Sequence, residues 1–299
     1  MVLLASHHKV YQYFNYLLLI IVSTSSLFCA FYNLFTINRI GEFYTFVSAL
    51  DFNPNYFAVL VVMSIIFVFN QILFAKYEMM NIIIHMLFLG ILVFTLITLT
   101  SRMAMIVTIF SILLLSIRYS IQYKTGKILS ILTGLILGGS IIVSKSHIGK
   151  IRFGNLKNNL VNMVDNPMKD RRLRTMVVGL EIIKNHPICG VGLHNMQSEL
   201  SKRFNQREYY YLLKNNYHVH NQYIQVGVFA GILFMFLFLL TMCLPIFYSS
   251  QLSERLQVSS INFLFLTDSP LMDFRVLFAV AFVIAVSWFG IVCNRNYAN

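Results

Sequence analysis

Long apolar blocks separated by short polar joints run through the chain. Crossing a bilayer core of about 30 Å takes roughly 20 helical residues, and blocks near 15–36, 55–74, 82–100, 103–121, 127–144, 222–247 and 274–293 meet or approach that length. Each is predicted to be a transmembrane helix. A further apolar run at 256–267 is shorter; it either dips into the membrane or crosses with its backbone sheltered by neighbouring helices. The pattern changes over 145–221, where polar residues dominate. Within that stretch Met176, Val177, Leu180 and Ile183 follow Leu173 at helical spacing, and His186-Pro187 stops the pattern. An amphipathic helix at the membrane surface is expected there. Next comes Cys189-Gly190-Val191-Gly192-Leu193, a glycine-punctuated turn where the backbone can bend tightly or approach a ligand closely. Segments 155–172 and 195–217, rich in Asn, Lys, Arg and Tyr, read as surface with some helix.

Composition narrows the class. The chain is 58% hydrophobic and 11% charged, whereas a soluble domain carries roughly a quarter charged residues. Short loops give the orientation, because Lys and Arg are retained in the cytoplasm while long loops translocate largely regardless of charge. Arg118, Lys124 and Lys127 fall in the connection 118–127 without an acid, so that connection is read as cytoplasmic. Alternation then puts Lys9 and Lys76 inside, and 37–54, Arg102 and 145–221 outside; if 256–267 crosses, the C terminus is inside. The chain reads as an all-α integral membrane protein with about seven or eight transmembrane helices and one large, partly helical extracytoplasmic loop. Its organisation is an N-terminal bundle of about five spans (1–144), the loop (145–221) and a C-terminal membrane segment of two or three spans (222–299).

Cys29, Cys189, Cys243 and Cys293 are scattered and make no disulfide framework or metal spacing. Phe28 is too bulky for lipoprotein processing before Cys29, so the first span reads as an uncleaved anchor. The loop holds thirteen Lys and Arg against five Asp and Glu, contributing +8 to the net charge of +12. A basic face beside a membrane wants an anionic partner. No nucleic-acid motif is visible, which leaves membrane lipid phosphate or a lipid-linked pyrophosphate, or simply a solvated loop resting on anionic headgroups.

Several residues are candidates for chemistry. Arg102, in Thr100-Ser101-Arg102-Met103, sits where two spans join with almost no loop; a charge held there is costly unless paired or functional, or it snorkels to a headgroup. Arg171, Arg172 and Arg174 precede the amphipathic helix, where the helix dipole disfavours cations and an anion would relieve the conflict. His218 and His220, followed by Asn221, lie where the loop re-enters the membrane. Their alternate spacing argues against a shared metal and for one histidine acting as a base or a polar anchor. His85 reads as a packed mid-span side chain, His7 and His8 as a solvated tail, and Asp51-Phe52-Asn53-Pro54-Asn55 as a turn feeding a helix.

Taken in order, Asp51 to Ala58 (DFNPNYFA), Thr100-Ser101-Arg102, Arg172 followed by His186-Pro187 and Gly190-Val191-Gly192, and His218 to Asn221 with Gly227 and Gly231 resemble the O-antigen ligase and O-antigen polymerase superfamily. The closing motif, His220-Asn221 then Gly231, is the most specific; Phe234 and Met176 depart from the residues usual there. Only one span precedes the Asn-Pro motif, so the chain reads as a short or N-terminally truncated member. The resemblance implies a bacterial inner-membrane glycosyltransferase, independent of metal and cofactor. Its donor would be an undecaprenyl-pyrophosphate-linked glycan, and its acceptor lipid A-core or a growing polysaccharide. It implies catalytic roles for Arg102, Arg172 and His220 around one pyrophosphate, with Arg171, Arg174, His218 and Asn221 binding substrate. Polymerase and ligase stay open. The alternatives are a non-enzymatic transporter, an anionic-lipid-binding scaffold or an inactive truncated member; a transporter would show repeated halves or broken helices, and Gly138-Gly139 is the nearest thing to a break.

Overall fold

The structure, a computed structural model, describes residues 2–36, 50, 53–74, 79–99, 101–124, 170–249 and 251–298. The expected span 127–144, the first part of the basic loop, Gly138-Gly139, Asp51 and Thr100 lie outside the described residues. Every element is helical, with no strand among the described residues: α1 (Val2–Thr36), α2 (Pro54–Phe74), α3 (Met79–Leu99), α4 (Arg102–Tyr123), α5 (Arg171–Asn185), α6 (Met196–Gln206), α7 (Tyr210–Lys214), α8 (Gln222–Ala230), α9 (Ile232–Tyr248), α10 (Leu252–Phe265), a 3-10 turn at Pro270–Met272 and α11 (Phe274–Ala298). Among the described residues four helices are long and apolar enough to cross a membrane: Lys9–Tyr32 within α1, then α2, α3 and α4. Ile232–Tyr248 and Arg275–Trp288 are shorter apolar helices.

The chain divides into two compact units. The first holds α1 to α4, the distal part of α9, α10 and α11. Its axis is α2, apolar all round and buried almost continuously from Tyr56 to Phe69, as a helix enclosed by others must be. Asn53 starts α2: its side chain accepts from the Asn55 amide at 2.9 Å, with Pro54 in the first helical position, where a missing N–H costs nothing. α1, α3, α4 and α10 pack against it. Ile83, Leu87 and Phe94 on α3 and Ile106 and Phe110 on α4 stay exposed, a surface suited to lipid. His85 is packed as expected, its Nδ1 2.7 Å from the Asn81 carbonyl and its ring against Tyr16.

The short run at 256–267 belongs to α10, which starts earlier and buries polar as well as apolar side chains. Gln257 donates to Asn15 Oδ1 at 2.7 Å and to the Met63 carbonyl at 2.9 Å, and accepts from Tyr11 at 2.6 Å. Ser260 meets Ser111 at 3.3 Å. In a bundle that lipid surrounds, such bonds tie helices where apolar contact alone gives little preference. α1 begins well before residue 15 because nothing from Val2 to Thr36 is glycine or proline.

The second unit contains α5 to α8, the first half of α9 and the turn 266–269. Val178, Ile182, Ile183, Met196, Leu200, Phe204, Leu212, Val219 and Val228 form its core, so the described part of the basic loop is folded. The amphipathic helix is present as α5, but its buried stripe is Thr175, Val178, Gly179, Ile182 and Ile183. Of the expected stripe, Ile183 is buried and Met176 packs against the core from the side, while Val177 is half-buried and Leu180 is exposed. Glycines draw the buried face toward Gly179, since α5 crosses α8 where neither helix has a side chain in the way. A Cβ on Gly179 would stand 2.8 Å from Ile224 Cγ2, and one on Gly227 2.6 Å from Ile183 Cδ1.

The expected span 222–247 is two helices, broken at Gly231 with φ +92°. The interruption is filled by the glycine-punctuated turn. Val191 and Gly192 donate to the carbonyls of Val228 and Phe229, both at 2.9 Å, and the Ile232 amide donates to the Pro187 carbonyl at 2.8 Å. Gly190 (φ +60°) and Gly231 lie so close to the opposing backbone that neither site has room for a Cβ. Gly231→Ala should therefore destabilise the chain by at least about 2 kcal/mol from overpacking and left-handed strain. Gly90→Ala, where nothing lies within 4 Å, should be neutral or slightly stabilising. Melting of the detergent-purified variants checks the pair, and equal stability of the two would contradict the lock.

Candidate functional site

Within the second unit the start of α5, the end of α7 and the entry to α8 come together. Asp170 caps α5, accepting from the amides of Arg172 at 2.8 Å and Leu173 at 3.1 Å, so the carboxylate already offsets part of the dipole conflict of the arginine cluster. Arg171 donates to the hydroxyls of Tyr211 at 2.9 Å and Tyr217 at 3.4 Å, with its guanidinium 4.7 Å from the Tyr211 ring centroid. The bond to Tyr217 holds its pKa further above the ordinary arginine value. Arg174 lies over the Tyr209 ring at 5.0 Å. Arg172 is exposed, and its guanidinium forms no hydrogen bond or ion pair with another described residue.

His220 is held in the left-handed region at φ +56°, a conformation that persists in a non-glycine residue only where its surroundings impose it. The constraints lie on both sides. Buried Val219 donates its amide to Gln225 Oε1 at 3.1 Å and accepts from Thr175 Oγ1 at 2.9 Å. Asn221 caps α8, accepting from Tyr223 and Ile224, and donates to the Leu266 carbonyl at 3.2 Å. The His220 ring is thereby presented with Nδ1 3.2 Å from Asp268 Oδ1 and stands edge-on to Tyr217, centroids 5.2 Å apart.

Asp268 is only 7% exposed. Burial by itself raises its carboxyl pKa, but His220, the Ser269 amide at 2.9 Å and the charge of Arg172 together hold it below the usual 3.8. An ionised carboxylate only accepts hydrogen bonds. The proton of neutral His220 therefore belongs on Nδ1, which leaves Nε2 a lone pair for an incoming hydroxyl. His218 differs: burial, then the charge of His220, depress its pKa below 6.5 against the opposing pull of Asp268. Its buried Nδ1 has no partner among the described residues.

The structure thus brings Arg171, Arg172, Arg174, His218, His220 and Asn221 into one unit, while Arg102 heads α4 in the other, exposed and without a partner among the described residues. Asn221 spends its amide on the cap and the tie to Leu266. Asp268 was missed in the sequence, although an acid closing the apolar run of α10 just before Pro270 was the available signal. No three His, Cys, Asp or Glu side chains gather to hold a metal among the described residues.

Residues 85–239, just over half of the chain, match the family described as O-antigen ligase. The chain belongs to the O-antigen ligase family. No curated protein matches it. The matched region of this O-antigen ligase family member includes Arg102, the arginine cluster, the glycine turn and His220, and stops short of Asp268. Membership and the apolar helices make it a bacterial membrane protein that transfers glycan.

The depressed pKa of His218 has a measurable sign. Below pH 6.5 the unfolded chain takes a proton that the folded chain resists, so the stability present above that pH is lost as pH falls. Melting temperature should drop between about pH 7.5 and about pH 5.5, where an ordinary histidine titrates, and His218→Asn should flatten that slope. An unchanged slope would contradict a neutral, buried His218.

Proposed function

We propose that the chain transfers a glycan from undecaprenyl pyrophosphate to an acceptor hydroxyl at the outer face of the bacterial inner membrane. The observation that supports it is His220, held at a positive φ with its ring against buried Asp268, and the exposed Arg172 guanidinium near enough to act on the same carboxylate. The acceptor hydroxyl gives its proton to His220 Nε2 as its oxygen attacks the anomeric carbon, and the carbon–oxygen bond to pyrophosphate breaks. His220 becomes an imidazolium that Asp268 stabilises, which favours the base over the simple anchor. Arg172 and Arg102 are assigned to the negative charge that develops on the departing pyrophosphate, where paired donors act without a metal ion. Arg171, Arg174, His218 and Asn221 shape the surroundings of the substrate.

The acceptor is lipid A-core or a growing polysaccharide, for a ligase or a polymerase respectively. The charge asymmetry of the short connections supports an outward-facing loop 145–221 between the N-terminal bundle 1–144 and the C-terminal segment 222–299. The tie from Asn221 to Leu266 supports a crossing by α10, because the chain that enters the membrane at Asn221 returns to the same point. That makes eight spans.

The test is surface glycan in cells lacking the native gene, with each variant at matched membrane levels. Arg172→Ala, which removes a donor to developing charge, should lower transfer about a hundredfold, and Asp268→Asn by a similar factor or more. Replacing Lys202 and Lys214 together, both exposed cations of the same unit, should change little. If the lysine pair matters as much as Arg172, the loop works by bulk charge and the proposal fails.

A further inference from the structure

Next to His220 the second unit carries two aromatic rings, exposed Tyr211 and half-buried Tyr217, that proton transfer and pyrophosphate departure do not use. Tyr211, on α7, is 55% exposed. Its ring centroid lies 5.9 Å from that of Tyr217, which in turn lies 5.2 Å from the His220 ring. Arg171 spans the first two, over one ring and bonded to both hydroxyls.

Three physical consequences follow. The rings are already fixed by a cation, so little rotamer freedom remains for a ligand to remove. Each hydroxyl accepts from Arg171 and so keeps its own proton to donate outward. The exposed Tyr211 face is apolar while its rim is polar, the combination that makes tyrosine a recognition residue. A ligand matched to that surface needs a face of C–H groups bordered by oxygens that accept hydrogen bonds. A pyranose ring has both. A phosphate has no C–H face, and an acyl chain would leave the hydroxyl protons unused. We propose that Tyr211 and Tyr217 form a sugar-binding platform leading to His220, occupied by the glycan residue adjoining the reacting one. This rests on the glycan-transfer reading of the site, and the platform residue belongs to either the donor or the acceptor chain.

The experiment uses the full chain in lipid nanodiscs and saturation-transfer NMR with two soluble probes. One is the methyl glycoside of the host's polysaccharide repeat unit, the other the host's core oligosaccharide. Irradiation of aromatic protons should saturate the C–H protons of one sugar in the wild type, in Tyr211→Phe and in Tyr211→Trp. Tyr211→Leu should bind the probe about fivefold more weakly, the scale of one aromatic contact. The responding probe identifies the chain: the core oligosaccharide as acceptor, the repeat unit as donor or growing polysaccharide. No saturation from either probe in the wild type overturns the platform, as does equal binding in the leucine variant. The tryptophan variant keeps a ring but loses the bond to Arg171, so loss in both leucine and tryptophan variants points to the arginine scaffold and overturns stacking. Transfer assayed on the same samples separates the two claims: transfer without saturation overturns the platform alone, and saturation without wild-type transfer supports the platform while the reaction assigned to the site fails.

Discussion

A helix interrupted at Gly231 sheds backbone hydrogen bonds that lipid cannot replace, and the rest of the second unit is arranged around supplying them. The turn from Pro187 to Gly192 does so, reaching Val228, Phe229 and Ile232 with its own backbone. That contact requires glycine at 190 and 231, where no Cβ fits. It also fixes where α5 ends and how α8 enters, because the turn follows α5 directly. Gly179 and Gly227 then let the two helices close on each other. Gly190 and Gly231 thus act through close backbone approach, and Gly179 and Gly227 through close helix packing.

Once α5 and α8 are locked, the residues between Tyr217 and Asn221 have few conformations left. Val219 is buried and hydrogen-bonded at both its amide and its carbonyl, and Asn221 is committed to its cap. His220 takes up the difference by adopting a positive φ. The cost of that conformation, of order 1–3 kcal/mol, is offset by the surrounding bonds. What it yields is an imidazole aimed at a buried carboxylate rather than at solvent. A low-dielectric setting strengthens the pairing, and the exposed Arg172 adds positive charge nearby. An imidazole and a guanidinium are thus held by the same helix pair, and the proposed transfer assigns the first to the acceptor's proton and the second to the departing charge.

Much of this was legible in the sequence. Helix length, apolar blocks and the stop at His186-Pro187 follow from local chemistry, and the order of motifs pointed to the family that the matched region establishes. The helix face of α5 was legible only in part: Ile183 and Met176 do meet the core, but apolar spacing cannot reveal that Gly179 and Thr175 face it as well. The break at Gly231 was hidden too, since a lone glycine in an apolar run reads as a tolerated helix residue. Asp268 escaped because its partner stands 48 residues away, a separation that no local pattern encodes. Asp170 likewise changes the meaning of the arginine cluster, which looked like an unrelieved conflict without its cap.

The proposed glycan transfer places His220 at its reacting centre. The most direct measurement is transfer by the purified chain in liposomes, given a polyprenyl-pyrophosphate-linked glycan and an acceptor oligosaccharide, with release of the lipid pyrophosphate followed alongside. The wild type should form product and release pyrophosphate in equal amounts, and His220→Ala should do neither while keeping its helical content and melting temperature. Undiminished transfer by His220→Ala would contradict the account.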